Sequence, residues 1–252
     1  MIRFRLLGPV QVRGAESGFA PVPGVRRRAL LAMLLLNAGR TTPVEVLEEQ
    51  LWPFGRPASG ANALQAHVTR LRRDLRARGG EAPHIVHADL GYLLEVPAGE
   101  LDLSTFNGFR QAAGEASGQR PLEAANLLRR ALALWRGPAL ADVREHSPRL
   151  RLAAARMEEH RLLALEDLVE LDLRLERHDR IIGDLTSLAA AHPLRERLHC
   201  QLITALGRAG RRAEAADVFR RMRRRVLDEL GVEPSAALND ALRGALSGRP
   251  RP

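Results

Sequence analysis

Between Pro148 and Gly183 the chain contains neither glycine nor proline. A stretch without either residue holds no local helix breaker, and one unusually long helix is predicted over 149–177. On both sides the breaks recur, at Gly118, Gly137-Pro138, Pro148, His192-Pro193, Gly210 and Gly231-Val232-Glu233-Pro234. They divide the remainder into helices at about 103–117, 121–135, 179–191, 194–209, 211–230 and 235–246. No strand signal interrupts them. Successive helices with short turns predict stacked helical hairpins, and Ala215 and Phe219 match the A-x3-F spacing of a tetratricopeptide repeat.

The first hundred residues follow another rhythm. Ile2, Phe4 and Leu6 share one strand face, Val10 and Val12 repeat it beyond a Gly8-Pro9 turn, and a third short strand fits Phe19–Val22. Then Ala29, Leu30, Met33, Leu34 and Ala38 fall on one stripe of a helix over 25–38 that Gly39 stops. Thr42-Pro43-Val44-Glu45 reads as a capping box with proline at the first helical position. It opens a short helix through Leu47 and Leu51 that ends at Trp52-Pro53. After a loop at 54–60 comes a third helix, about 61–78, closed by Gly79-Gly80. Ile85-Val86 and Tyr92-Leu93-Leu94 then flank residues 87–91 as a hairpin. Pro97-Ala98-Gly99 reads as a linker. The expected class is therefore mostly α: an N-terminal winged helix-turn-helix at 1–97, then an all-α tetratricopeptide-like domain at 98–252 with a disordered tail from about 248.

Composition narrows the function. Lys+Arg total 39 against 30 acids, a formal net charge of +9, and every basic residue is arginine. Without lysine there is no Schiff base, no pyridoxal phosphate anchor and no P-loop lysine. G-x-G-x-x-G, H-E-x-x-H and G-x-S-x-G are also missing, which argues against an enzyme. Residues 1–97 hold 13 arginines and 8 acids, and 98–252 hold 26 and 22, so the shorter part has about twice the charge density and the anionic partner belongs there. Aromatics make up only 4%. Single-strand binding relies on stacking rings, so duplex DNA is the expected partner and RNA is not. One cysteine, Cys200, excludes a disulfide framework and a Cys-rich zinc site. No apolar run approaches the ~20 residues of a membrane helix, and the N-terminus has no signal core. A cytoplasmic, nucleoid-associated protein without cofactor, metal or membrane contact is expected.

The third helix carries the functional reading. Leu64, Val68, Leu71 and Leu75 form one buried seam. The opposite face, at about 100° per residue, carries Asn62, Ala66, Thr69, Arg70 and Arg73, flanked by Gln65, Arg72 and Arg76. Small residues let the backbone approach a groove floor, while arginine can clamp guanine, an amide can pair with adenine and threonine can touch a thymine methyl. An isolated arginine-rich helix is ordinarily a solvated surface. Here a capped helix precedes it and a hairpin follows, the layout in which this helix enters the major groove and the hairpin lies on the neighbouring backbone. His67 sits at the seam's edge and reads as a packed histidine. His84 and His87 lie three apart in a strand and so point to opposite faces, which argues against a shared metal. Trp52 and Trp135, at helix ends, read as core anchors, and Cys200 as a small buried hydrophobe.

Leu64-Gln-Ala-His-Val-Thr-Arg-Leu-Arg-Arg-Asp-Leu75 followed by Gly91-Tyr92 resembles the OmpR-type winged helix. Pro138-Ala-Leu-Ala-Asp142, His192-Pro-Leu-Arg-Glu-Arg197, Gly210-Arg-Arg-Ala-Glu-Ala215 and Asp228-Glu-Leu-Gly-Val-Glu-Pro234 resemble the bacterial transcriptional activator domain. In this order, over about residues 2–246, they resemble the Streptomyces antibiotic regulatory protein family. The resemblance implies an activator that binds promoter direct repeats, as a homodimer on DNA, and recruits RNA polymerase to secondary-metabolite genes. It implies polymerase contacts from the Trp52–Gly60 loop, with Trp52, Phe54, Arg56 and Ser59 as candidates, and from the helical half; the wing, which lacks the family's arginine and prolines, is expected to make a weaker contact or one supplied by His87. From the extent of the chain, the ATPase and repeat extensions of larger relatives and a phosphorylated receiver domain are not expected. The chain departs from the family at the wing, where His87-Ala88-Asp89-Leu90 places an acid near phosphate, and at Gly207, where a larger residue is usual. The residues alone leave a second class open, a helical-repeat interaction scaffold whose first domain only docks.

Overall fold

The N-terminal alternation becomes a three-stranded antiparallel sheet: β1 (Phe4–Arg5), β2 (Gln11–Arg13) and β3 (Phe19–Ala20), ordered as in the chain. In this computed structural model residues 3–14, 18–53, 55, 60–78 and 85–247 are described; Ile2 and the tail from 248 lie outside them. Phe4, Leu6, Val10 and Val12 are wholly buried, as the period-two pattern requires. Next come α1 (Val25–Leu36), β4 (Thr42–Pro43), α2 (Val44–Leu51), α3 (Gly60–Arg76), β5 (Ile85–Ala88) and β6 (Gly91–Leu94).

Thr42 and Pro43 correct the capping-box reading. They form β4, which pairs with β6 through Thr42↔Tyr92 and Pro43↔Gly91 and completes a sheet ordered β4-β6-β5. Helix α2 starts at Val44 with Pro43 at its N-cap and no side-chain capping bond. The extended backbone that a distant strand demands of Thr42 is invisible to a four-residue motif. The pairing also explains Gly91, because a Cβ there would overlap the Thr42 carbonyl.

Beyond residue 97 every described element is helical: α4 (Asp102–Ala116), α5 (Pro121–Leu132), a short 3-10 turn (Arg144–His146), α6 (Pro148–Arg174), α7 (His178–Ala191), α8 (Glu196–Arg208), α9 (Arg212–Leu230) and α10 (Ala236–Ser247). The unbroken stretch yields the 27-residue α6. Helix α5 stops three residues short of the expected end. Trp135 follows in a turn, with its ring edge-on to Phe106 at 5.5 Å.

Contacts gather the chain into two compact units, Met1–Gln111 with Arg130–Leu162, and Ala112–Arg129 with Leu163–Pro252. The winged-helix elements thus share a unit with the start of α4, the end of α5 and the first half of α6. Asp102 is the main joint there. It is 1% exposed, and its carboxylate accepts the backbone N–H groups of Leu6 (2.8 Å) and Leu7 (3.1 Å) and the Arg136 guanidinium (3.0 Å). Burial raises its pKa, while those donors and the arginine charge pull it back. Around it, Arg136 and Leu140 donate backbone N–H groups to Leu7 and Leu6 carbonyls. Asp142 accepts the Val10 N–H at 2.8 Å and pairs with Arg28 at 2.6 Å. At the end of α2, the Leu51 carbonyl lies 3.3 Å from His146 Nε2, and Gln50 Oε1 accepts the Arg149 N–H.

In the second unit, Glu166 is fully buried and takes Arg195 at 2.7 Å and Arg197 at 3.2 Å, and its backbone carbonyl accepts Gln201 Nε2. Asp172 holds Arg129 at 2.5 Å. Gly207 brings α8 against α10, so the room its missing side chain leaves is filled by Ala245. Cys200 is half-buried rather than buried, and burial pushes its thiol up to about 11, which keeps it protonated and a poor nucleophile at neutral pH.

Candidate nucleic-acid interface

The α3 seam is as tight as its spacing implies: Leu64, Val68, Leu71 and Leu75 are each at most 1% exposed. Burying four such side chains anchors one side of the helix, and a 3.6-residue period then forces the other side outward. Asn62, Gln65, Thr69, Arg70, Arg73 and Arg76 are exposed, with Ala66 half-buried between them. Among the described residues Arg70, Arg73 and Arg76 of this face make no ion pair. Its donors are fixed in space by the helix, and its cations are available to an anion.

Arg72 sits elsewhere. It is half-buried, and its Nε and Nη2 both donate to the Ile85 carbonyl, at 3.0 and 2.6 Å. Two further charged residues of this region also turn inward. Asp74 accepts Arg27 of α1 at 2.5 Å, and Arg78, just past the helix, donates to the carbonyls of Val12 (3.2 Å) and Pro21 (2.7 Å). Sequence reasoning missed these ties. Spacing held a clue for Arg72, which stands four residues after Val68 and three before Leu75, about 70° from the seam's centre.

In the hairpin, His87 is exposed, with its ring edge-on to Tyr92 at 5.2 Å. Asp89 takes a positive φ of 30° at the tip, and Leu90 beside it is 75% exposed. His84 lies outside the described residues. His67 is half-buried with its ring 5.9 Å from that of Trp52. Burial lowers its pKa, and Arg70, Arg26 and Arg27 lower it further. It is therefore neutral at pH 7, as a packed histidine is. Trp52 closes α2 and is half-buried; Phe54, Arg56 and Ser59 lie outside the described residues. Among the described residues no group of His, Cys, Asp and Glu could hold a metal ion, and no helix is long and apolar enough to cross a membrane.

Comparison with known proteins fits this layout. The family model "Transcriptional regulatory protein, C terminal" matches residues 24–94, and that of the "Bacterial transcriptional activator domain" matches residues 101–245. The chain is 35% identical to the regulatory protein DnrI of Streptomyces peucetius over 99% of its own length and 93% of the relative. It is 38% identical to the transcriptional regulator RedD of Streptomyces coelicolor over 94% of its length and 68% of RedD. Among solved structures, Mycobacterium tuberculosis EmbR, in complex with a low affinity phosphopeptide, superposes with a TM-score of 0.92 at 30% identity, covering all of this chain and 66% of that one. With both family models matched in order and a relative aligned almost end to end, the chain belongs to the Streptomyces antibiotic regulatory protein family of transcriptional activators.

Proposed function

We propose that the protein binds double-stranded promoter DNA through α3 and activates transcription from it. The observation that carries this is the division of α3 into a fully buried leucine-valine seam and an outer face of amide, hydroxyl and guanidinium groups, the last without an ion pair among the described residues. Asn62, Gln65, Thr69, Arg70 and Arg73 then lie in the major groove, where two bidentate contacts of the arginine–guanine or amide–adenine kind each discriminate by about 1–3 kcal/mol. Ala66 gives the groove floor its close approach. His87 offers a ring N–H donor on the hairpin, beside an Asp89 that phosphate repels, so the wing contributes less than α3 does.

The finer reading is that two copies bind direct repeats and that Trp52, with Phe54, Arg56 and Ser59, meets RNA polymerase near a secondary-metabolite promoter. Support for it is the family membership and the position of Trp52 at the end of α2, next to His67 of α3. The N-terminal domain at 1–97 serves as reader and the helical remainder as the activating part. Selection of the full chain on a random-sequence duplex library, followed by footprinting of the winning site and run-off transcription with polymerase, tests it. Two protected repeats in the same orientation and increased transcript are expected. Enrichment of no duplex at moderate salt would sink it.

A further inference from the structure

We infer that Arg72 and Asp74 are positioning residues: they fix the recognition helix to the wing and to α1, so that the α3 face and the hairpin meet DNA as one rigid reader. The inference rests on the DNA-binding reading above and removes Arg72 from its list of base and phosphate contacts.

Along Arg70-Leu71-Arg72-Arg73-Asp74-Leu75-Arg76 the charged residues divide by where their charge is spent. Arg70, Arg73 and Arg76 face solvent. Arg72 and Asp74 flank the leucine seam on opposite sides, about 160° apart around the helix. Arg72 reaches one way and clasps the Ile85 carbonyl of β5 with two N–H groups. Asp74 reaches the other way and takes Arg27 of α1 at 2.5 Å, with both side chains no more than 20% exposed. A helix held only by its apolar seam can still roll about its axis, because leucine contacts are non-directional. Two directional, charge-assisted ties on opposite flanks oppose that roll. A roll of one-sixth turn would move Arg70 and Arg73 by several ångströms against the base edges.

The Ile85 carbonyl makes this a link to the wing in particular. Ile85 opens β5 and pairs with Leu94 of β6, in the register that sets His87 across from Tyr92. The distance from the α3 face to the hairpin is therefore set through Arg72. Asp74 also matters by its sign. It is the sole acid in α3, and on bulk charge alone its removal would strengthen binding to a polyanion.

Anisotropy titrations of the full chain against the tightest duplex recovered from a random-sequence library, over a range of salt, separate positioning from contact. Arg72→Ala is expected to weaken specific binding about tenfold, the low end of one lost base contact, with an unchanged salt slope and unchanged affinity for unrelated duplex. Asp74→Asn is expected to weaken specific binding although it makes the protein more positive. The double swap Arg27→Asp with Asp74→Arg, which restores the pair and the net charge, is expected to recover most of the loss. Measured well below each variant's melting temperature, a purely stabilising role would leave the affinity of the folded protein alone. A salt slope that falls by about one in Arg72→Ala would place Arg72 on a phosphate and overturn the inference. Unchanged affinity in Arg72→Ala, or tighter specific binding in Asp74→Asn, would overturn it equally. If the wild-type chain enriches no duplex, the DNA reading falls and this inference with it.

Discussion

Gly207 and Ala245 meet so closely that a Cβ on Gly207 would lie 2.5 Å from the Ala245 Cβ and 2.6 Å from its Cα. One of those atoms belongs to helix backbone, so α10 itself would have to shift. Gly207→Ala gains helix propensity, yet overpacking of this kind costs about 1–3 kcal/mol. Net destabilisation is expected in urea melts of the full chain. Ala245→Gly should relieve part of it, and equal stability of Gly207→Ala and wild type would refute the close contact.

The Asp102 joint is expected to dominate the stability of the first unit. Asp102→Ala strands two backbone N–H groups and leaves Arg136 without its carboxylate, and breaking a buried pair from one side costs about 3–5 kcal/mol. Chemical denaturation followed by tryptophan emission reads it out directly, since Trp135 adjoins Arg136 in sequence. A loss under 1 kcal/mol would mean the joint is not a principal support. On the same grounds a fragment of residues 1–97, which lacks Asp102, Arg136 and Asp142, should unfold at lower urea than one of residues 1–162. Such a fragment is a poor probe of DNA binding.

On α3 itself, Arg70→Ala is expected to cost about 1–3 kcal/mol of specific binding and to relax the preference at one base position. Arg73→Ala, if its partner is a phosphate, should weaken all duplexes alike and reduce the salt slope by about one. Binding-site selection repeated with each variant distinguishes the two. Identical site preferences and slopes for both variants would remove α3 from the groove.

Acidification should destabilise the protein through histidine. Burial is the leading cause that lowers the pKa of His67, His146, His160 and His199 below 6.5. The unfolded chain therefore binds more protons than the folded one as pH falls past 6.5, and stability rises with pH across that window. The contribution is complete above 6.5 and is lost as pH falls through the folded values. Asp102, raised above 3.8 by burial, acts in a lower window with the opposite sign, favouring the fold when protonated. Thermal melts at stepped pH should show a falling midpoint below pH 6.5. A flat profile there would contradict the burial of these rings.

Local periodicity made much of this molecule legible. The seam at Leu64, Val68, Leu71 and Leu75, the helix limits near glycine and proline, and the 27-residue α6 all depend on neighbours within a few residues. What stayed hidden depends on partners far along the chain. Thr42 mimics a cap until Tyr92 draws it into a sheet. Arg72 is one arginine among several until the Ile85 carbonyl claims it. Gly207 departs from the family pattern, and its reason lies 38 residues away in Ala245. The outer face of α3 was legible as a pattern because an exposed surface is what remains once a buried one is defined.

The grouping of the winged helix with Arg130–Leu162 bears on how such regulators can be recombined. Exchanging reader modules between relatives by splicing at the inter-domain linker would set Leu6, Leu7 and Val10 of one parent against Asp102 and Asp142 of another. A chimaera that carries over both stretches of the unit, leaving the remaining helices to the second parent, keeps each anchoring carboxylate with the strands it evolved to hold.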